Sequence, residues 1–121
     1  MRFTFRPFER LHRDADFLSV RRQGRKRTGR HLVLYVSRHT SEPGTPSRLG
    51  LMVGRRFGNA VRRNRIKRQI REIFRLNKHQ FPYTMDIVAI PLSTGEAPST
   101  GILREEFLRL IGVAGDEGKS R

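Results

Sequence analysis

The 121 residues include no cysteine and no tryptophan. Without thiols there are no disulfides, no thiolate zinc sites and no cysteine nucleophile, and nothing argues for an oxidising compartment. Acid is scarce: eleven Asp and Glu stand against 26 Lys and Arg, a formal net charge of +15 and a pI near 11.8. No apolar run approaches the roughly 20 residues of a membrane span. The opening MRFTFRPFER has no apolar core of the kind a secretory signal needs, so the reading is cytoplasmic. What remains, with 36% apolar and 31% charged residues, is one domain with a modest core and a surface that repels itself. A polyanion relieves that repulsion, which points to nucleic acid ahead of an anionic membrane.

The positive charge comes in two blocks. Residues 21–30, RRQGRKRTGR, hold six basic residues and no acid. Residues 55–78 hold ten against Glu72, a local +9, whereas residues 79–121 hold four basic residues and six acids. Concentration of this kind marks a binding surface more than a solubility effect. Twenty-two of the 26 cations are arginine, whose planar fork suits phosphates and base edges.

Periodicity predicts the order α-(β)-β-β-α-β-α in a single α+β domain. Asp14 or Asp16 can cap a short helix running to about Arg22. Lys26 to Thr28 suits a short edge strand. Residues 31–37 alternate, with Leu32, Leu34 and Val36 on one face and His31, Val33, Tyr35 and Ser37 on the other. The turn-rich TSEPGTPS at 40–47 follows. A second strand then sets Leu49, Leu51 and Val53 against Gly50, Met52 and Gly54, a face with room for a close approach. Residues 59–77 change to helical period, with Ile66, Ile70, Ile73 and Phe74 forming a stripe and Asn59 as N-cap. MDIVAIP at 85–91 is apolar on both faces apart from Asp86, as a central strand should be. After a loop at 93–101, a last helix from Ser99 or Thr100 carries Leu103, Phe107, Leu110 and Ile111. Residues 1–12 and 115–121 are expected to be flexible.

The second helix has an isoleucine face and an arginine face. With Ile66 at zero and steps of about 100°, Asn64, Lys67, Arg68, Arg71, Arg75 and Lys78 fall between roughly 100° and 200°. Exposed helices ordinarily mix signs for i,i+4 pairing, and here Glu72 alone offers it. Arg62, Arg63, Arg65, Lys67 and Arg68 also crowd the N-terminal half, where the helix dipole disfavours cations. Arriving phosphates would reverse that cost. Arg62 and Arg63 fall on the apolar side of a regular helix and should escape around its N-terminal rim. Elsewhere, Phe17, Val33 and Tyr35 could line a groove edged by Arg21, Arg22 and Arg55, the arrangement that holds extended single strands. Phe17 fits core packing and base stacking equally; Tyr35 is spare to the core.

GNAVRRNRIKRQIR, from Gly58 to Arg71, resembles the signature of the protein subunit of bacterial ribonuclease P, with Arg63, Asn64 and Arg65 as its Arg-Asn-Arg core. The resemblance extends over Asp16-Phe17, LVLYV at 32–36, GLMVGRRFGNAV at 50–61 and DIVAI at 86–90, leaving out residues 1–12 and about the last ten. It implies an α/β sandwich with a left-handed β-α-β crossover, against the ordinary handedness rule. It implies further a partner RNA that, with magnesium ions of its own, hydrolyses precursor tRNA to free the mature 5′ end. The leader-cleft roles would fall to Phe17, Arg21, Val33, Tyr35, Arg55 and Arg56. Asn59, Arg62, Arg63, Asn64, Arg65, Lys67, Arg68 and Arg71 would face the catalytic RNA. Arg21 stands where the family often has a second aromatic.

A protein-borne active site is not expected. His12, His31, His39 and His79 are scattered, and Glu105–Glu106 reads as the polar face of the last helix. No metal site and no protein partner is evident. Three other classes compete: a ribosomal or general RNA-binding protein, a DNA-binding module and a cationic membrane-surface protein. The second would need a two-helix turn, zinc-finger spacing or heptads. The third would need an apolar face that the sheet does not already claim.

Overall fold

A computed structural model describes residues 10–11, 14–38, 46–94 and 97–112. The elements run α1 (Asp14–Gln23), β1 (Arg25–Thr28), β2 (Leu32–Arg38), β3 (Arg48–Leu51), α2 (Ala60–Asn77), β4 (Met85–Pro91) and α3 (Thr100–Leu110). Single 3-10 turns at Arg55–Phe57 and Lys78–Gln80 flank α2. This is the α+β order expected from periodicity, edge strand included. His12, His39 and residues 115–121 lie outside the described residues.

The four strands form one sheet in the order β1-β2-β4-β3, with β3 parallel to β4 and the other pairs antiparallel. β4 is therefore central, and its continuous apolar sequence fits burial on both faces. Val88 and Ala89, on opposite faces, are both fully buried. Leu32, Leu34, Val36, Leu49, Ile87 and Ala89 point to one side and meet Ile66, Ile70, Ile73 and Phe74 of α2 and Leu103 and Phe107 of α3. α1 covers the other side, where Val20 and Leu11 pack on Val88. The result is α1, then the sheet, then the α2–α3 layer.

Several boundaries differ from the sequence reading. The helix already contains Asp14 and Asp16, so neither stands before it as a cap. β3 stops at Leu51, although the Met52 amide still donates to the Ala89 carbonyl at 3.0 Å. Arg10 and Leu11, assigned to a flexible start, are held: Arg10 bridges Leu49, the Leu11 amide donates to the Leu49 carbonyl and the Leu11 side chain is buried. That short segment covers the outer edge of β3, which would otherwise be open to pairing.

Glu106 overturns its assignment to a polar face. It is 4% exposed, and its Oε2 accepts from the backbone amides of His31 and Leu32 at 2.8 and 2.7 Å. Glu105 is the exposed member of the pair. Glu106 thus ties the β1–β2 turn to α3 and satisfies the buried Leu32 amide and the partly buried His31 amide.

Candidate nucleic-acid interface

α2 begins where the sequence placed its cap. Asn59 Oδ1 accepts from the Arg62 amide at 2.9 Å, so this residue fixes the helix start, whatever else it contacts. Gly58 before it has φ 155°, and a Cβ there would lie 3.0 Å from Arg62 Cδ. Glycine therefore allows the chain to turn into the helix and the Arg62 stem to fold back over it. The Arg62 guanidinium lies 5.7 Å from the Phe57 ring centroid, and Arg63 Nη1 donates to the Gly58 carbonyl at 2.9 Å. Both arginines escape the apolar face at the N-terminal rim, as their angles on the helix required. They brace the 3-10 turn against α2 while keeping their charge there.

Asn64, Arg65, Arg68 and Arg71 are exposed along the opposite face, and Lys67 is half-buried beside Ile66. No acid lies in the first turn of α2. Glu72, its one carboxylate, is hydrogen-bonded by Arg75, and this bond holds the Glu72 carboxyl below its ordinary pKa. The acid is thus matched within the last turns, and the N-terminal half remains purely cationic. Two exposed apolar side chains, Val61 and Leu76, mark the ends of this helix.

Across the sheet, β2 and β4 present Tyr35 and Ile90 beside Val88, and Phe17 and Met52 close over the same cluster. A cleft of about 370 Å³ is lined by Phe17, Leu18, Arg21, Leu51 and Met52. The room left by Gly50 is taken by Phe17: a Cβ at Gly50 would lie 2.6 Å from Phe17 Cζ. Phe17 is therefore both core and cleft wall, half-buried against Leu11 and Val20. Tyr35 is half-exposed, with the Arg21 guanidinium 5.5 Å and Lys26 Nζ 6.0 Å from its ring centroid. Val33 faces the same way by strand alternation but is buried, so it supplies floor rather than a free contact.

Arg22 is exposed on the last turn of α1, and Arg55 and Arg56 are exposed on the 3-10 turn that follows β3. The structure brings Phe17 together with Arg21, and Arg21 with Tyr35; it places Arg55 and Arg56 next to the cleft only through chain continuity from Met52. Residues not singled out in the sequence also shape the cleft: Leu18, 47% exposed on α1, Met52 on its wall and Lys26 beside Tyr35. Met52 was legible as a residue on the glycine-rich face of its strand. Leu18 gave no signal, because α1 is too short for a clear period.

Not every arginine is free for a ligand. Arg48 donates to both carboxylate oxygens of the largely buried Asp86, at 3.0 and 2.8 Å, and this bond raises the Arg48 pKa. Among the described residues no group of three His, Asp or Glu gathers to hold a metal ion. Likewise, no described helix is long and apolar enough to cross a membrane.

A family model described as Ribonuclease P matches residues 5–115. The chain is 41% identical over 104 residues to a ribonuclease P protein component from Acidothermus cellulolyticus, covering 85% of each chain. It is likewise 41% identical to the one from Thermotoga maritima over 107 residues, 88% of this chain and 82% of that one. Among solved structures, the Thermotoga maritima RNase P protein superposes with a TM-score of 0.73 at 37% identity, covering 85% of this chain and 94% of that one. The Staphylococcus aureus RNase P protein gives 0.74 at 29% identity, covering 84% and 91%. The similarity begins ahead of residue 12, earlier than the sequence reading drew it.

Proposed function

The chain belongs to the ribonuclease P protein component family, and from that premise we propose that it grips two RNAs with opposite sides of its sheet. The α2 face of Asn64, Arg65, Lys67, Arg68 and Arg71, with Arg62 and Arg63 at the rim, binds the catalytic RNA of ribonuclease P. The α1 cleft, with Phe17, Arg21 and Tyr35 on its walls and Arg55 and Arg56 beside it, takes the 5′ leader of precursor tRNA. The observation that carries this reading is the unmatched cationic N-terminal half of α2. A cation-rich first turn opposes the helix dipole, and phosphates at that position reverse the penalty.

In this reading the protein positions and neutralises, and the RNA with its magnesium ions performs the hydrolysis. Basic side chains displace counterions from crowded phosphates, work otherwise left to dissolved cations. Aromatic and guanidinium faces hold an unpaired strand without demanding one sequence. The cytoplasm, where tRNA is processed, is the corresponding location.

The test is reconstitution with a bacterial ribonuclease P RNA, following 5′ processing of precursor tRNA across a magnesium series. The protein should lower the magnesium the RNA requires and cleave nothing by itself at any magnesium concentration. Cleavage of precursor tRNA by rigorously RNA-free protein would overturn the assignment of chemistry to the RNA.

A further inference from the structure

A third cationic feature lies apart from both surfaces, at the free edge of β1. A notch of about 330 Å³ is lined by Gln23, Arg25, Arg27, Ser37, Arg38 and Tyr83 and closed by the last turn of α3. Arg25 and Arg27 stand opposite Val36 and Leu34, and facing residues in a ladder share a side of the sheet. Leu34 and Val36 point into the α2–α3 core, and Arg38 follows them in phase. All three arginines therefore project on the α2–α3 side, opposite α1 and its cleft. α3 packs over β2 and α2 over β3, so α3 separates the notch from the α2 arginines.

Among the described residues the notch has no carboxylate in its lining, unlike the Arg48–Asp86 and Arg75–Glu72 pairs elsewhere. Two of its guanidiniums are already fixed. Arg27 Nη1 donates to the Leu110 carbonyl at 3.1 Å, and Arg38 sits 4.0 Å from the Tyr83 ring centroid. Arg27 Nε is buried with no acceptor among the described residues, an expensive state for a charged donor. The C-terminal end of α3 accounts for Arg27 alone, since cations suit that end of the dipole. It does not account for Arg25 and Arg38 lining the same notch beside it.

We propose that this notch is a phosphate-binding site that takes a backbone phosphate of the catalytic RNA. This rests on the reading of α2 as the face for that RNA, because the notch lies on the same side of the sheet. Arginine forks fixed in advance suit the paired oxygens of a phosphodiester. The protein then holds its RNA at two points on one side, with α3 spanned between them.

The test compares Arg25→Ala/Arg38→Ala with Arg65→Ala/Arg68→Ala, measuring affinity for the catalytic RNA alone over a salt series. Arg27 is left in place because it anchors α3. Each phosphate that is no longer neutralised reduces the salt slope by about 0.7–0.9, so the notch variant should lose roughly one such step. Arg25→Lys/Arg38→Lys should keep most of it. If Arg38→Ala lowers the melting temperature by freeing Tyr83, Arg25→Ala alone carries the measurement. An unchanged slope in the notch variant beside a reduced slope in the α2 variant overturns this site and leaves the proposed function standing. Unchanged slopes in both overturn the α2 reading as well. An effect confined to precursor tRNA binding by the assembled complex assigns the notch to the wrong RNA. Saturable binding of inorganic phosphate that Arg25→Ala abolishes, with no change in RNA salt slope, gives the notch to a free anion instead.

Discussion

The Arg21 guanidinium carbon lies 5.5 Å from the centroid of the Tyr35 ring, with Lys26 Nζ 6.0 Å from the same point. A cation over a partly exposed tyrosine contributes on the order of 0.5–1 kcal/mol. The pair therefore sets the ring's orientation before any base arrives. Arg21 thus keeps a flat, stackable and charged surface next to Tyr35, as the proposed leader site would require.

Tyr35→Ala should weaken precursor tRNA binding by the assembled complex roughly five- to a hundred-fold, from about 1–3 kcal/mol per stacked base. Mature tRNA, which lacks a leader, should bind almost as before. Arg21→Ala should have a smaller effect in the same direction, and the double variant should lose less than the sum, because the two groups act on one strand as a stacked unit. The measurement is the precursor-to-mature affinity ratio at one salt and magnesium concentration. A constant ratio in Tyr35→Ala removes Tyr35 from the leader site.

Gly50→Ala places a methyl 2.6 Å from Phe17 Cζ and 3.1 Å from Leu11 Cβ. Overpacking of this kind costs about 1–3 kcal/mol. The loss should appear in urea unfolding, and precursor affinity should fall as the Phe17 ring is pushed off its seat. Phe17→Leu added to Gly50→Ala should recover part of the stability by giving the methyl room. A double variant no more stable than Gly50→Ala would place the strain elsewhere than at the ring.

Glu106→Ala strips the acceptor from two amides in one step. The buried Leu32 amide left unsatisfied costs about 1–3 kcal/mol and the partly buried His31 amide adds less, so the urea midpoint should drop. Glu106→Gln retains an oxygen at that position and should lose much less. Equal losses from the two variants would show that the charge, and not the hydrogen bonds, holds the β1–β2 turn.

The Glu72 carboxyl should titrate below the ordinary glutamate value of 4.5 because of its hydrogen bond from Arg75. A carboxylate depressed on folding contributes stability above its unfolded pKa and loses it as pH falls through the folded one. The pair's contribution is therefore confined to pH above that low range, and its exposure keeps it small. NMR titration of Glu72 in Arg75→Ala should show the midpoint rising back; an unmoved midpoint would mean that Arg75 is not the cause.

The α2 helix was legible because three independent signals agreed on it: the Asn59 cap, the isoleucine period and the one-sided charge. β4 was legible because an apolar run between two turns has one natural place, the middle of a sheet. Glu106 was not, since two adjacent glutamates read as one solvated patch. Yet spacing carried the hint, for Glu106 is three residues after Leu103 and four before Leu110, inside the apolar stripe. The 3-10 turn at Arg55–Phe57 was beyond any periodicity, being three residues long. The notch is a tertiary meeting of β1, β2 and α3, and only its arginine content was visible in the chain.

The central position of β4 has a consequence for synthesis. β2 and β3 do not pair with each other; each pairs with β4, which ends at Pro91. A growing chain can close the β1–β2 hairpin early, but β3 and the isoleucine stripe of α2 wait for residues made later. Until then a nascent chain presents its arginine helix without a sheet behind it, next to a ribosome made largely of RNA. The strand that completes the sheet also ends the interval in which that cationic helix lacks the core its isoleucine stripe packs on.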